Sequence, residues 1–201
     1  MLKTACSCGV SRRNFLSGLA GLGACTVLPS VAQDAAIMGK KDRVDTHHHF
    51  FSPGIRSAMS SKNLLQGPAV SWTLEKTIDD MDRAGTSTAI LSATTPQVSF
   101  LSGNEATKLA RENNEYAAKL RGDYKGRFGS FAMLPMHDMD SALKEMEYAL
   151  DVLKADGIGL LTSYGDKWLG HPKFIPLMNE LNRRGAILYT HPTSADCCNN
   201  L

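Results

Sequence analysis

The 201-residue chain is short of several things at once. Only 7% of it is aromatic, it has five cysteines, and its formal charge at neutral pH is just +2. Five cysteines in a chain of this size are too few for a disulfide miniprotein. Cys6, Cys8 and Cys25 fall near the start, and the neighbours Cys197 and Cys198 bridge each other only under severe strain. No apolar stretch approaches the roughly 20 residues that cross a bilayer, so no stable membrane span is expected. Charge of one sign is missing too. Residues 1–32 hold Lys3, Arg12 and Arg13 and no acid. Setting those three aside leaves the remainder with one more acid than base, which gives no reason to expect a nucleic-acid partner. What is present, 43% apolar and 21% charged residues, suits a globular protein with one sizeable core.

The first 32 residues read as an address. Ser11-Arg12-Arg13-Asn14-Phe15-Leu16 precedes a Gly- and Ala-rich apolar run to Leu28, and Ser30-Val31-Ala32 offers the small residues a signal peptidase reads. The paired arginines resemble a twin-arginine signal, which implies a periplasmic or secreted protein exported already folded. Leu22-Gly23-Ala24-Cys25 loosely resembles a lipoprotein processing box, the alternative fate. The expected organisation is a leader over residues 1–32, a linker over 33–42 and a folded domain over 43–201.

Beyond the leader, short apolar strands alternate with amphipathic helices five times. Strands are expected at Arg43–Phe50, Thr88–Thr94, Phe128–Leu134, Ile158–Thr162 and Ala186–Thr190. Helices are expected at Leu74–Ala84, Asn104–Arg121, Ser141–Ala155 and from Pro172 to Gly185, with Phe51–Ser71 a long connecting loop. Gly85 stands where a helix-ending glycine belongs, and Pro172 suits a first helical turn. Such alternation implies parallel βαβ units in an α/β fold, either an open sheet or a partial (β/α)8 TIM barrel of about five units.

Histidines mark two strand ends. In Asp45-Thr46-His47-His48-His49, strand alternation turns Asp45, His47 and His49 to one face and His48 to the other. Two imidazoles two residues apart can grip one divalent ion, zinc or another first-row metal. A solvated loop with chance histidines is the competing reading. His191, in Tyr189-Thr190-His191-Pro192, ends the fifth strand on the same side of a parallel barrel, where it can meet the first pair.

On these residues the chain resembles the amidohydrolase-related metal-dependent barrels, in the branch of aminocarboxymuconate-semialdehyde and aromatic-acid decarboxylases. The block from Gly159 to Leu169, followed by His171-Pro172-Lys173-Phe174, is similar to the 6-methylsalicylate decarboxylases. The resemblance implies His47, His49 and His191 as metal ligands, Zn2+ first and Mn2+ second, and a small aromatic carboxylic acid as substrate. It also implies a homodimer for the full-length relative, and it leaves a lactone or amide hydrolase as the alternative activity. The family's sixth-strand histidine and eighth-strand aspartate have no counterpart in the 201 residues, so a truncated, inactive product is a further expectation. Arg56 is a candidate for pairing with a substrate carboxylate, and Tyr164 and Trp168 for stacking on its ring. A solvated Arg56 and loop packing by the two aromatics are the competing readings. His137 and His171 read as helix-entry residues, and Asp45 as a strand-end supporting group.

Overall fold

The computed structural model describes residues 42–193 together with Ala195 and Asp196. The expected leader, all of the expected linker but Asp42, and Cys197 and Cys198 lie outside the described residues. In chain order, β1 (Arg43–His49) leads through α1 (Pro53–Ser61), α2 (Pro68–Ser71) and α3 (Leu74–Ala84) to β2 (Thr86–Ser92). Then α4 (Gly103–Asp123) precedes β3 (Phe128–Met133), and α5 (Met139–Glu147), prolonged by a π turn over Tyr148–Val152, precedes β4 (Gly157–Leu161). A hairpin of β5 (Ser163–Tyr164) and β6 (Lys167–Trp168) and a 3-10 turn at Pro172–Phe174 lead into α6 (Ile175–Arg184) and β7 (Leu188–His191). The five long strands are all parallel, in the order β1-β2-β3-β4-β7. They form a partial TIM barrel, the one of the two arrangements left open by the alternation that the histidine motifs favour.

Local chemistry sets the helix ends. Thr73 accepts a hydrogen bond from the Lys76 amide at 3.1 Å, and Gly85 closes α3 in the left-handed region at φ +68°. Gly185 closes α6 in the same way at φ +58°. Ala186, expected as the first residue of the fifth strand, still donates to Leu181 O at 3.0 Å, so β7 starts two residues later. The segment Phe51–Ser71 is a correction. It holds α1, capped by Ser52 with Pro53 in the first turn and Ile55 and Met59 buried one turn apart, and the short α2. The helix expected over Ser141–Ala155 is also shorter, because Leu153 N bonds back to Tyr148 O and Lys154 turns to φ +56°.

The face of the sheet turned to the helices carries the core. Ala89, Leu91 and Phe128 meet Met81, Ala117 and Leu120, and further along Ala132, Ile158 and Leu160 meet Met146, Phe174 and Leu177. On the other face Phe131 and Tyr189 stack with centroids 5.0 Å apart. Gly157 and Gly159 lie beneath them: a Cβ on Gly157 would stand 2.6 Å from Ile187 O, and one on Gly159 would stand 3.3 Å from Phe131 Cβ. Glu145, 1% exposed, ties layers together by accepting from Arg111 Nε at 2.7 Å and Asn114 Nδ2 at 2.8 Å. Asn114 in turn bonds both the N–H and the carbonyl of Met133 at 2.9 Å, so α4, α5 and β3 share one polar anchor.

Candidate metal centre

Parallel strands all end on one side, and the ends of β1 and β7 carry the histidines. His47 Nε2 and His49 Nε2 are 3.0 Å apart, and His49 Nε2 and His191 Nε2 are 3.2 Å apart. The three ligand atoms lie within 4.8 Å of one another. Bonds of 2.0–2.1 Å to a tetrahedral ion put ligand nitrogens about 3.3 Å apart, so the two short edges have the spacing of a coordination shell.

The far side of two of the three rings supports the same reading. His49 Nδ1 faces Ser92 O at 3.4 Å, and His191 Nδ1 faces Pro192 O at 2.9 Å. A carbonyl only accepts, so each Nδ1 carries the proton and each Nε2 presents a lone pair to the cluster. Lone pairs 3.2 Å apart repel, and a cation between them removes the repulsion. Burial lowers the His49 pKa to about 4, with the neighbouring His191 and His47 acting in the same direction against the Ser92 carbonyl. His191 is lowered too, first by burial. Both rings are therefore neutral near pH 7, as metal binding requires. Thr94 Oγ1 stands 3.3 Å from His191 Nε2, and His47 rests edge-on against Tyr189.

Strand alternation needs one correction. From Asp45 to His48, β1 spends three residues where β2 spends two, Ala89 to Leu91, so β1 bulges by one residue. Asp45 consequently shares a face with His48, not with His47 and His49, and its Oδ2 is 2.9 Å from His48 Nδ1. Its Oδ1 accepts the His47 amide at 3.0 Å. Burial pushes the Asp45 carboxyl up, but these hydrogen bonds outweigh it and hold it below the usual carboxylate value.

A cavity of 470 Å³ opens beside His49, walled by Phe51, Met59, Leu64, Pro68 and Ala69, with Gln66 and Thr94 as polar members. The Phe51–Ser71 segment thus shapes a pocket at the strand ends, as its position suggests. Arg56, Tyr164 and Trp168 do not border it. Arg56 donates to Val70 O at 2.9 Å and Trp72 O at 3.2 Å, stitching α1 to α2 and to the residue that follows it. The hydroxyl of Tyr164 accepts from Leu161 N and donates to Gln97 Oε1, and its ring packs edge-on against Phe174. Tyr164 instead lines a separate 190 Å³ cavity with Gln97, His137 and Lys173. Trp168 is 46% exposed on the small hairpin. His171 caps the 3-10 turn through Lys173 N, and His137 precedes Asp138, the cap of α5. Sequence reasoning missed Thr94 and the Ser92 carbonyl, whose only signal was their place at the end of the second strand.

Fold and site together define a partial βα barrel that presents a histidine cluster where its parallel strands end. The chain belongs to the amidohydrolase family, whose profile matches residues 44–198. Among curated proteins it is 46% identical over 164 residues to the decarboxylase yanB of Aspergillus niger, covering 76% of this chain and 44% of that protein. It is 38% identical over 159 residues to 6-methylsalicylic acid decarboxylase of Penicillium expansum, covering 75% and 48% respectively. The chain therefore spans about half the length of the curated relatives it matches. Among solved structures, an amidohydrolase II shares 27% identity at a TM-score of 0.72, over 80% of this chain and 54% of that one. A 5-carboxyvanillate decarboxylase of Novosphingobium aromaticivorans, solved with bound manganese, shares 25% identity at a TM-score of 0.67, over 80% and 53%. Among the described residues no helix is long and apolar enough to cross a membrane.

Proposed function

We propose that this chain carries the metal-binding strands of a non-oxidative decarboxylase acting on a small aromatic acid of the 6-methylsalicylate kind, with His47, His49 and His191 holding a divalent ion. The observation that carries the reading is the convergence of three Nε2 atoms from two strands that are far apart in sequence. A relative named for 6-methylsalicylic acid favours loss of carbon dioxide over hydrolysis of a lactone or amide, and the manganese in the 5-carboxyvanillate enzyme favours Mn2+ beside Zn2+.

When bound, the ion would supply positive charge that orients a carboxylate and its neighbouring phenolic oxygen and offsets negative charge developing there. The protein's own part is preparation. The Ser92 and Pro192 carbonyls hold two ring tautomers so that Nε2 faces the centre. Phe51, Met59 and Leu64 give an aromatic ring an apolar wall beside His49.

Titration of the purified full chain with Mn2+ and Zn2+, followed by calorimetry with 6-methylsalicylate, tests the reading. One ion per chain and acid binding that requires the ion are expected, with the phenol lacking the carboxyl group binding far more weakly. Absence of ion binding, or equal binding of acid and phenol, would sink it. We further propose export of the chain by the twin-arginine route. Replacing Arg12 and Arg13 together by lysine should abolish export from a bacterial host, and unchanged export would refute that route.

A further inference from the structure

We infer that Asp45 is the positioning residue of this centre: its carboxylate clips the β1 bulge shut and thereby aims His47 at the point that His49 and His191 share. The inference rests on the metal reading above, but its core is a statement about backbone geometry. A bulge leaves its extra residue without a ladder partner. In β1 the register slips between Asp45 and His48, so Thr46 and His47 occupy the unpaired stretch. The His47 amide has Asp45 Oδ1 as its acceptor, at 3.0 Å. The second oxygen, Oδ2, takes the His48 ring at 2.9 Å.

The consequence is directional. Asp45 and His48 align with Ala89 and Leu91, two buried residues on the helix-facing side of β2. His49 aligns with Ser92, whose carbonyl its own ring meets. His47, inside the bulge, has no strand partner to set its direction. Its backbone is held by the Asp45 carboxylate, and its ring then lies 3.0 Å from His49 Nε2. Without the clip, the exposed His47 is free to swing toward solvent, and the centre is left with two ordered imidazoles.

The test uses the full chain and Co2+, whose visible spectrum reports the number and symmetry of its nitrogen ligands. Asp45→Ala should weaken Co2+ binding at least tenfold, within the range typical of lost supporting contacts, and change the spectrum. In a His47→Ala background the same change should cost nothing further. Asp45→Asn keeps an oxygen acceptor for the His47 amide and should restore affinity to within about threefold of wild type. Additive losses, or an unaltered spectrum in Asp45→Ala, would overturn the inference. Hydrogen exchange at the His47 amide separates it from the metal reading. Exchange at least tenfold faster in Asp45→Ala than in wild type and Asp45→Asn upholds the clip even in a chain that takes up no Co2+. Equal exchange in all three refutes it.

Discussion

His49 and His191 bring their Nε2 atoms to 3.2 Å across 142 positions of sequence, each with its Nδ1 against a backbone carbonyl. Two neutral imidazoles so placed have nothing to donate to each other, and a cation between them would remove their repulsion. His47→Ala, His49→Ala and His191→Ala should each lower bound metal at least tenfold by elemental analysis after dialysis. His48→Ala should keep most of it, because that ring turns to Asp45 and away from the cluster. Equal loss in all four variants would dismiss the assignment.

The same burial gives the metal-free chain a defined acid response. The folded His49 titrates at about 4, against an ordinary 6.5, chiefly because burial disfavours its charged form. The unfolded chain therefore takes up a proton that the folded chain refuses. The stability this ring allows is fully present above about pH 6.5 and is lost as pH falls from there toward 4. Thermal melting across that window should show a steeper decline for wild type than for His49→Gln. Bound metal should leave over the same acid range, since protons compete for Nε2. Parallel melting curves for the two proteins would contradict this.

A different kind of dependence sits at Glu145. Its carboxylate is buried with Arg111 and Asn114 as partners, and Asn114 also holds both polar groups of Met133. Arg111, 38% exposed, can turn to water, but Glu145→Ala leaves the buried Asn114 amide short of an acceptor and should cost about 2 kcal/mol in urea unfolding, in the range for an unsatisfied buried donor. Glu145→Gln keeps an acceptor for Asn114 and should cost less than half as much. A loss under about 1 kcal/mol for Glu145→Ala would mean that the anchor is dispensable.

What was legible in the sequence follows the range of the forces involved. The bounds of α3, Leu74 to Ala84, were readable because Thr73 and Gly85 act within a turn of the residues they stop. His47, His49 and His191 were readable as a group because parallel strands must end on one side. The pairing of Asp45 with His48 was not, since the bulge exists only relative to β2, some 40 residues on. The packing of Tyr164 was hidden for the same reason: its partner Gln97 lies 67 residues away. Helix α1 was a missed local signal. Ser52 and Pro53 are a good cap and first turn, but Gly54 and the three serines after it resemble loop composition.

Gly157 tests the packing of the sheet's other face. A methyl there would meet the Ile187 carbonyl at 2.6 Å, and that carbonyl, which accepts from Ile158 N at 2.9 Å, cannot move aside as a side-chain tip can. Gly157→Ala should therefore destabilise by about 1–3 kcal/mol, the range for overpacked sites. Gly170→Ala adds its methyl to open space and should stay within about 0.5 kcal/mol of wild type. Chemical denaturation of the pair decides it, and similar midpoints would show that β4 and β7 can part without cost.

The cavity beside His49 makes a prediction about charge. Its wall is apolar apart from His49, Gln66 and a few threonine atoms, and Leu64, one of its members, is 36% exposed, so a polar replacement there leaves the core intact. Leu64→Asp places a carboxylate in the space proposed for an aromatic acid. Two like charges sharing a cavity of this size repel by about 1–3 kcal/mol at an effective dielectric near 20. Binding of 6-methylsalicylate to the metal-loaded chain should then fall about tenfold or more, with metal content unchanged. The isosteric but uncharged Leu64→Asn should fall only slightly, which separates charge from lost apolar contact. Equal weakening by both replacements would assign the effect to packing, and no weakening by either would place the acid elsewhere.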